Sequence, residues 1–506
     1  MPNSARVGWC YNCNVPILDG GICGLCHSRS KPISVPRGEL KPVFRFERNF
    51  YNEIIDKSLK ISGDMIPEGS FISGNCIVVD GVKTFRIYLD KEEFTFKASP
   101  HKDFQFNGLE GSNLKNTIKA NKHILRRKER EATSFLERSF KKLGKPAVVS
   151  FSGGKDSACA LYLARKVKRN IPALYMNTTL DFPETVSYVH SLKRKWKLNL
   201  VEIFPEHGFL ELCKELGPPS SFMPWCCQTQ KFAPFNKYLN DHFPEGLLSV
   251  EGLRRLESTK RMDYKRISSN RSIPRKKTLC PILDWSTIDV WLYILWRKIP
   301  FNPIYEYGYQ RIGCWACPHK GMFLFKLTEA THPRLIEKWY GFLIDYAKNN
   351  GKDREWVLRG NWRKRREAYI RVSLLRRRLC GTDNSLVYNL DGDQVRLERI
   401  REYMKIFGDV RKFAFGEIIR GYDIEISIIG TTIRMSSKTP DMMRKFEKQL
   451  SRAINCIGCG ACVGACEALK VNNNIVSVDE NKCKHCLLCI SSKYLRMSCI
   501  ALNYRK

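Results

Sequence analysis

Acidic residues are scarce in this 506-residue sequence: 51 Asp and Glu stand against 86 Lys and Arg, for a formal charge of +35. Thiolate-bound metals would subtract a few charges each, and the field that remains attracts polyanions with an affinity that falls as salt rises. RNA is the natural partner; the alternative is a Lys-rich proteome or a high-salt cytoplasm. Long apolar runs are also missing, and the first residues lack a hydrophobic leader core, which leads us to expect a soluble, cytoplasmic protein with no membrane partner. The Gly-x-x-x-x-Gly-Lys-Ser/Thr spacing is absent too, so any phosphate loop is not a Walker A loop. What is present, 43% hydrophobic and 11% aromatic residues over this length, is globular and calls for three or more domains. Twenty-one cysteines, mostly in short-spaced clusters, point to metal ligation rather than disulfides.

The stretch from Lys145 to Cys159 organises the chain. An apolar β-branched run breaks at Ser152-Gly153-Gly154-Lys155-Asp156-Ser157 and passes into a helical segment, Ala158 to Val167. Two glycines let backbone N–H groups close on phosphate oxygens, and Ser152, Ser157 and the helix N-terminus add donors. Lys155 adds a full charge. The segment resembles the pyrophosphate-binding loop of the N-type ATP pyrophosphatases, a resemblance that implies ATP with Mg²⁺ at this loop and release of pyrophosphate during adenylation.

Residues 1–32 carry Cys10-x2-Cys13 and Cys23-x2-Cys26, paired knuckles whose spacing predicts a zinc ribbon that folds around its Zn²⁺, with a rubredoxin-like iron site as the alternative. Trp9 and Tyr11 beside the first knuckle either pack the ribbon or stack on a base. Alternation in Cys76-Ile-Val-Val and Thr84-Phe-Arg-Ile-Tyr predicts a small β-rich domain over 38–110, possibly RNA-binding, and a basic helix follows over 111–144 with Arg126-Arg127-Lys128 and Lys141-Lys142.

An alternating β/α pattern over 145–328 predicts a doubly wound parallel sheet with its ligand beyond the strand carboxyl ends. Four ordered blocks lie within it: Glu251-Gly252-Leu-Arg254-Arg255-Leu-Glu257-Ser258-Thr-Lys-Arg261, Cys280-Pro-Ile-Leu-Asp284-Trp285, Asn302-Pro303-Ile-Tyr305, and Arg311-Ile-Gly313-Cys314-x2-Cys317. Together they resemble the phosphoadenosine phosphosulfate (PAPS) reductase family of adenine nucleotide alpha hydrolase-like domains. The resemblance implies that Gly252, Arg254, Glu257, Ser258 and Arg261 line a nucleotide and oxyanion pocket, and that Asp181 and Glu184 meet the nucleotide; Asp181 as a simple helix cap is the alternative. It further implies a [4Fe-4S] cluster on Cys226, Cys227, Cys314 and Cys317. Two departures stand out. The family's reductases carry a degenerate phosphate loop, whereas this one is complete, and no Glu-Cys-Gly-like nucleophile follows Cys317, the nearest candidate being Cys380. Cys76, Cys159 and Cys213 read as core residues.

Residues 329–381 read as a basic helical segment in which Trp362 among arginines offers base stacking, and 382–450 as a small α+β domain without assigned chemistry. From 451 to 506, Cys456-x2-Cys459-x2-Cys462-x3-Cys466 and Cys483-x2-Cys486-x2-Cys489, then Cys499, resemble a two-cluster ferredoxin. That resemblance implies crossed ligation, Cys456, Cys459, Cys462 and Cys499 on one [4Fe-4S] cluster and Cys466, Cys483, Cys486 and Cys489 on the other. Nine residues separate Cys489 from Cys499 where three are usual, which leaves one cluster with spare thiols as the alternative.

The whole reads as a multidomain α/β protein: a central nucleotide-binding domain flanked by zinc ribbon, small β domain and a C-terminal α+β ferredoxin-like module. The expected activity is iron–sulfur-dependent sulfur transfer, with ATP adenylating a tRNA base and Lys155, Arg254, Cys226 and Cys227 as the catalytic candidates. An electron- or sulfur-donor protein is the further partner. The alternatives are a sulfonucleotide (PAPS or APS) reductase fed by the ferredoxin module and a non-enzymatic RNA-binding redox sensor.

Overall fold

The structure is a computed structural model; it describes residues 7–35, 39–61, 63–102, 108–270, 273–365, 375–379, 385–390, 394–460, 462–463, 466, 468–472, 475–491 and 499. Cys380 lies outside the described residues.

A six-stranded sheet forms the centre, in the order Leu200–Ile203, Ala173–Met176, Ala147–Ser150, Leu247–Val250, Ile273–Leu279, Ile267–Asn270. The first five strands are parallel and the last is an antiparallel edge. Strands buried on both faces read as apolar runs, and here the two faces take alternate residues. Ala147, Val149, Ala173, Tyr175, Leu248 and Val250 pack towards the core that includes helices Lys155–Val167 and Thr287–Arg297, while Val148, Leu174 and Leu247 face Phe235 and Leu239. The chain order reverses between Ala147–Ser150 and Leu247–Val250, which opens a crevice at their carboxyl ends.

The ribbon is docked, not tethered. Its strands Gly8–Cys10, Val15–Ile17 and Lys31–Pro32 form one antiparallel sheet. Asn121, buried on the long helix Leu114–Leu143, accepts from Leu18 N at 2.8 Å and donates to Pro16 O at 2.8 Å. Gly24 N donates to Ala120 O at 3.0 Å, an approach that a Cβ at Gly24 would block at 2.6 Å. Trp9 is fully buried, edge-on to Phe71 at 6.1 Å and over Gly81, so it packs and does not stack on a base. The long helix begins at an Asn113 cap and ends at left-handed Gly144. Part of its basic run is consumed by packing: Lys128 bridges Asp19 at 3.1 Å and Asp289 at 3.0 Å, and Arg127 meets Asp19 at 2.8 Å.

Three sequence expectations need correction. The small β domain, a five-stranded antiparallel sheet from Lys41–Pro42 to Phe96–Pro100, also contains the helix Arg45–Leu59. Tyr51, Ile54 and Ile55 of that helix pack on Ile72, Ile77, Phe85 and Ile87; its apolar residues sit four apart, a period masked by the charges between them. Leu375–Leu379, with Arg376, Arg377 and Arg378, is a strand and not helix. Five residues are too short to display a period, and pairing with Ser385–Leu390 decides the conformation. Trp362 is fully buried, edge-on to Trp339 at 5.3 Å, with Arg363 and Arg365 buried beside it, so it offers no stacking surface to RNA.

The chain from Leu375 onward folds around one core. An antiparallel sheet runs Leu375–Leu379, Ser385–Leu390, Thr432–Ser436, Ile424–Ile429, Gly416–Gly421, Asp409–Phe413. Its Ile426 and Ile433, together with Phe446 and Leu450 of helix Pro440–Ile454, share a core with Cys462, Leu469, Val476 and Cys489. The cysteine-rich end is therefore built onto this sheet rather than set apart from it. No helix among the described residues is long and apolar enough to cross a membrane.

Because Asn121 satisfies one donor and one acceptor of the ribbon, Asn121→Ala leaves both buried and unpaired. We expect a loss of about 1–3 kcal/mol in docking of the 7–35 segment, read in zinc-loaded protein as faster release of the metal to a chromogenic chelator while the far-ultraviolet spectrum is unchanged.

Candidate functional site

Two loops meet in the crevice at the sheet's switch point. The first follows Ala147–Ser150 and holds Ser152, Gly153 and Gly154 before helix Lys155–Val167. Gly153 has φ +72°, and a Cβ there would meet Thr185 at 2.9 Å, so the turn requires glycine. Ser152 and Ser157 hydroxyls are 3.1 Å apart, Ser157 donates to Gly154 O at 2.9 Å, and Asn302 Nδ2 donates to Gly153 O at 3.3 Å and Thr185 Oγ1 at 2.8 Å. The Lys155 N–H donates to Tyr305 Oη at 3.0 Å. The second loop follows Leu247–Val250 and brings Gly252 so close that a Cβ would stand 2.3 Å from Asp156 C and O and 2.5 Å from Ser157 N.

Charges lock the two loops together. Asp156 is clamped by Lys155 Nζ at 2.8 Å and Arg254 Nε at 2.6 Å. Burial alone would raise its carboxyl; the two cations overcome burial and hold it at about 2. Burial lowers Lys155. Arg254, 2% exposed, also reaches Glu39 Oε1 at 3.4 Å and Glu257 at 3.9 Å, while Arg261 pairs with Glu257. Ser258 contributes its carbonyl to Arg261 N at 3.0 Å.

A cavity of about 80 Å³ opens here, lined by Lys155, Arg254, Glu257, Arg311 and, from the small β domain, Glu39 and Lys41. That is room for several water molecules, each needing about 10–15 Å³ of such space. Sequence reasoning missed Glu39, Lys41 and the anchoring roles of Asn302 and Tyr305. Nothing local marks Glu39 and Lys41, whereas Asn302 and Tyr305 lie inside one of the four ordered blocks, whose glycine-loop contacts exist only in three dimensions.

Asp181 is not the helix cap of the alternative reading, since the cap of Pro183–Trp196 is Phe182. Asp181 instead accepts from Thr178 N at 3.2 Å, Thr178 Oγ1 at 3.3 Å and Tyr175 Oη at 3.1 Å. Burial raises it. Glu184 pairs with His332 at 3.1 Å.

Thr178, just past the carboxyl end of Ala173–Met176, links this loop to the cysteines: its hydroxyl is 3.7 Å from Cys314 Sγ, and Trp315 N donates to Leu180 O at 2.9 Å. Cys226, Cys227, Cys314 and Cys317 converge within electrostatic reach of one another, beside an apolar cluster of Phe209, Trp225 and Trp339. They are free thiols. Cys226 is raised, first by its hydrogen bond with Cys227 and then by burial; Cys227 is lowered to about 7 by the same bond; burial pushes Cys314 up to about 12. Because Ala173–Met176 neighbours Ala147–Ser150 in parallel, the thiols and the glycine turn occupy the same end of the sheet.

Four soft donors, Cys226 buried and Cys227, Cys314 and Cys317 half-buried, with no disulfide among them, fit an iron–sulfur cluster. The ribbon set differs. The sulfurs of Cys10, Cys13, Cys23 and Cys26 all lie within 4.8 Å of one another, compact enough for a single tetrahedral ion, whose sulfurs at Zn–S 2.3 Å stand about 3.8 Å apart. Near the C-terminus Cys462 lies within electrostatic reach of Cys456 and Cys499, and Cys489 of Cys466, Cys483 and Cys486. Cys459 packs against the Trp225 and Trp339 cluster. Cys159 and Cys213 are buried core residues; Cys76 is half-buried.

Residues 146–320 match the model of the phosphoadenosine phosphosulfate reductase domain. An uncharacterized protein of Methanocaldococcus jannaschii is 26% identical over 460 residues, covering 70% of this chain and 95% of its own. An adenosine 5′-phosphosulfate reductase of Bacillus cereus is 28% identical over 189 residues, 37% of this chain and 79% of that one. Among solved structures, a PAPS reductase of Candida auris superposes with a TM-score of 0.32 at 19% identity, covering 37% of this chain and 89% of that one.

Two outcomes follow from the loop geometry. Gly252→Ala forces the second loop off the Asp156–Ser157 backbone, and we expect at least tenfold weaker nucleotide binding by calorimetry with the fold retained. Asp156, held below its ordinary 3.8, contributes stability that is complete above that pH and vanishes as pH falls through about 2. Asp156→Asn therefore costs about 2 kcal/mol above pH 4, and acid unfolding curves of variant and wild type should converge towards pH 2.

Proposed function

We propose that this protein is an adenylating sulfurtransferase: it binds ATP with Mg²⁺ at the Ser152–Ser157 loop, adenylates an oxygen of its substrate and replaces that oxygen with sulfur. The observation that carries this reading is the complete glycine turn, with Lys155 and the Gly252 loop against it, at the same sheet end as Cys226, Cys227, Cys314 and Cys317.

In this reading the N–H groups of the turn and the Lys155 and Arg254 charges sit where negative charge builds on the departing pyrophosphate. Arg254 reaches it through a fork already oriented by Asp156. The substrate oxygen attacks the α-phosphorus, the α–β bridging bond breaks, and pyrophosphate leaves. A hydrosulfide-class donor then forms the C–S bond as the C–O bond to AMP breaks, with no net redox change. A cluster on Cys226, Cys227, Cys314 and Cys317 would supply a soft site that attracts sulfur. Asp181, with its Thr178 and Tyr175 donors, orients the Cys314 side of the site. The acceptor proposed is a tRNA base, supported by the net charge of +35 and not by Trp362.

A second reading draws on the 28% identity to an adenosine 5′-phosphosulfate reductase: the same pocket takes a sulfonucleotide, its 80 Å³ cavity seats one oxyanion, and electrons from the C-terminal module release sulfite.

Anaerobic protein with intact clusters separates them. Substrate-dependent exchange of labelled pyrophosphate into ATP, lowered about 10²–10³-fold by Lys155→Ala and unaffected by Cys226→Ser, supports adenylation. Sulfite formed from a sulfonucleotide without ATP replaces it with the reductase.

A further inference from the structure

One buried charge has no role in the pocket. Arg452, in the last turn of helix Pro440–Ile454, is 1% exposed. Its guanidinium lies 4.9 Å from the centre of the Tyr403 ring and donates from Nη1 to Gln449 Oε1 at 3.3 Å. Nε and Nη2 are buried with no hydrogen-bond partner among the described residues. Tyr403 itself donates to Cys456 Sγ at 2.8 Å and Gln449 to Tyr403 O at 2.8 Å, so the ring and the amide that hold the guanidinium are themselves fixed.

A cation taken out of water costs several kcal/mol unless an anion meets it. The groups that feel this one are Tyr403 and the thiols of Cys462, Cys499 and Cys489. In the crossed ligation that the ferredoxin resemblance implies, Cys462 and Cys499 belong to one set of cysteines and Cys489 to the other. Protonated thiols are neutral and repay little. Thiolates on iron carry the missing negative charge, and their sulfurs accept N–H bonds.

We propose that Arg452 is the shared counter-charge of two iron–sulfur clusters, its unpaired N–H groups donating to sulfur of both. Its charge acts on Cys462, Cys499 and Cys489 at once, and its helix, Pro440–Ile454, belongs to the sheet domain whose core also holds those three cysteines. Hydrogen bonds to sulfur and a nearby positive charge favour the reduced, more negative state, so Arg452 raises both potentials together. The 375–454 region thereby gains a chemical role, since it delivers a charge that the cysteine-rich segment does not contain at that place. The inference rests on the ferredoxin resemblance and is independent of what binds at Lys155.

The test is a redox titration of the full anaerobic chain followed by electron paramagnetic resonance, with iron and sulfide counted. Arg452→Met should lower both midpoints of the C-terminal module by at least a tenfold change in the oxidised-to-reduced ratio, about 59 mV for a one-electron couple, and leave the signal lost in Cys226→Ser unmoved. Arg452→Lys, which keeps charge but not the fork, should fall in between. Unshifted midpoints in Arg452→Met at full iron content, a shift in only one cluster, or a wild-type module that binds no cluster would each overturn the proposal. Where Arg452→Met loses iron, wild-type protein labelled with nitrogen-15 arginine decides: arginine nitrogen coupling to both reduced clusters supports the assignment, and its absence refutes it.

Discussion

The close approach of Gly252 to the Asp156–Ser157 backbone is the constraint on which the site depends. It joins two loops that leave adjacent parallel strands and lie about a hundred residues apart in the chain. No side chain fits between them, so the register of Leu247–Val250 against Ala147–Ser150 fixes where Arg254 can reach. The Lys155–Asp156–Arg254 cluster then fills the space. Its desolvation is costly, and its attraction offsets that cost only because both cations meet one carboxylate at hydrogen-bond distance. Such a cluster specifies an arrangement more than it stabilises a fold.

The same junction recruits the rest of the chain. Glu39 extends from the small β domain to Arg254 and to Thr287, and Lys41, held by Glu47, lines the cavity beside Lys155. That domain therefore forms one wall of the cavity beside Lys155. Just past the neighbouring strand, Thr178 connects Asp181 to Cys314, so the cysteine set inherits its position from the same end of the sheet. Three groups of residues that lie apart along the chain thus share one mechanical frame.

At the far end the cysteine-rich segment shares its core with the sheet domain. Ile426, Ile433, Phe446 and Leu450 bury against Leu469, Val476 and the cysteines themselves. Cys459 instead packs on the aromatic cluster that also backs Cys226, Cys227 and Cys314. The cysteine sets are therefore neighbours through packing, not through sequence.

Part of the site's layout was legible along the chain. Ser152 to Ser157 and the Cys-x2-Cys pairs are marked by spacing of a few residues, because ligand geometry and turn conformation act over a few bonds, whereas the Gly252–Arg261 block was marked only by a family resemblance. The helix Arg45–Leu59 was missed because charged residues hid its four-residue spacing, and Leu375–Leu379 was misread because a strand that short takes its conformation from its partner. Trp362 shows the limit most plainly: tryptophan among arginines looks the same in sequence whether its ring meets a base or, as here, Trp339. What the amino-acid order determined by itself was which donors exist and which neighbours they carry along the backbone. Which donors face one another, Glu39 with Arg254 or Arg452 with Cys489, was decided by the tertiary structure alone, since burial and charge pairing between distant segments depend on how the strands and helices pack and leave no periodic trace in the chain.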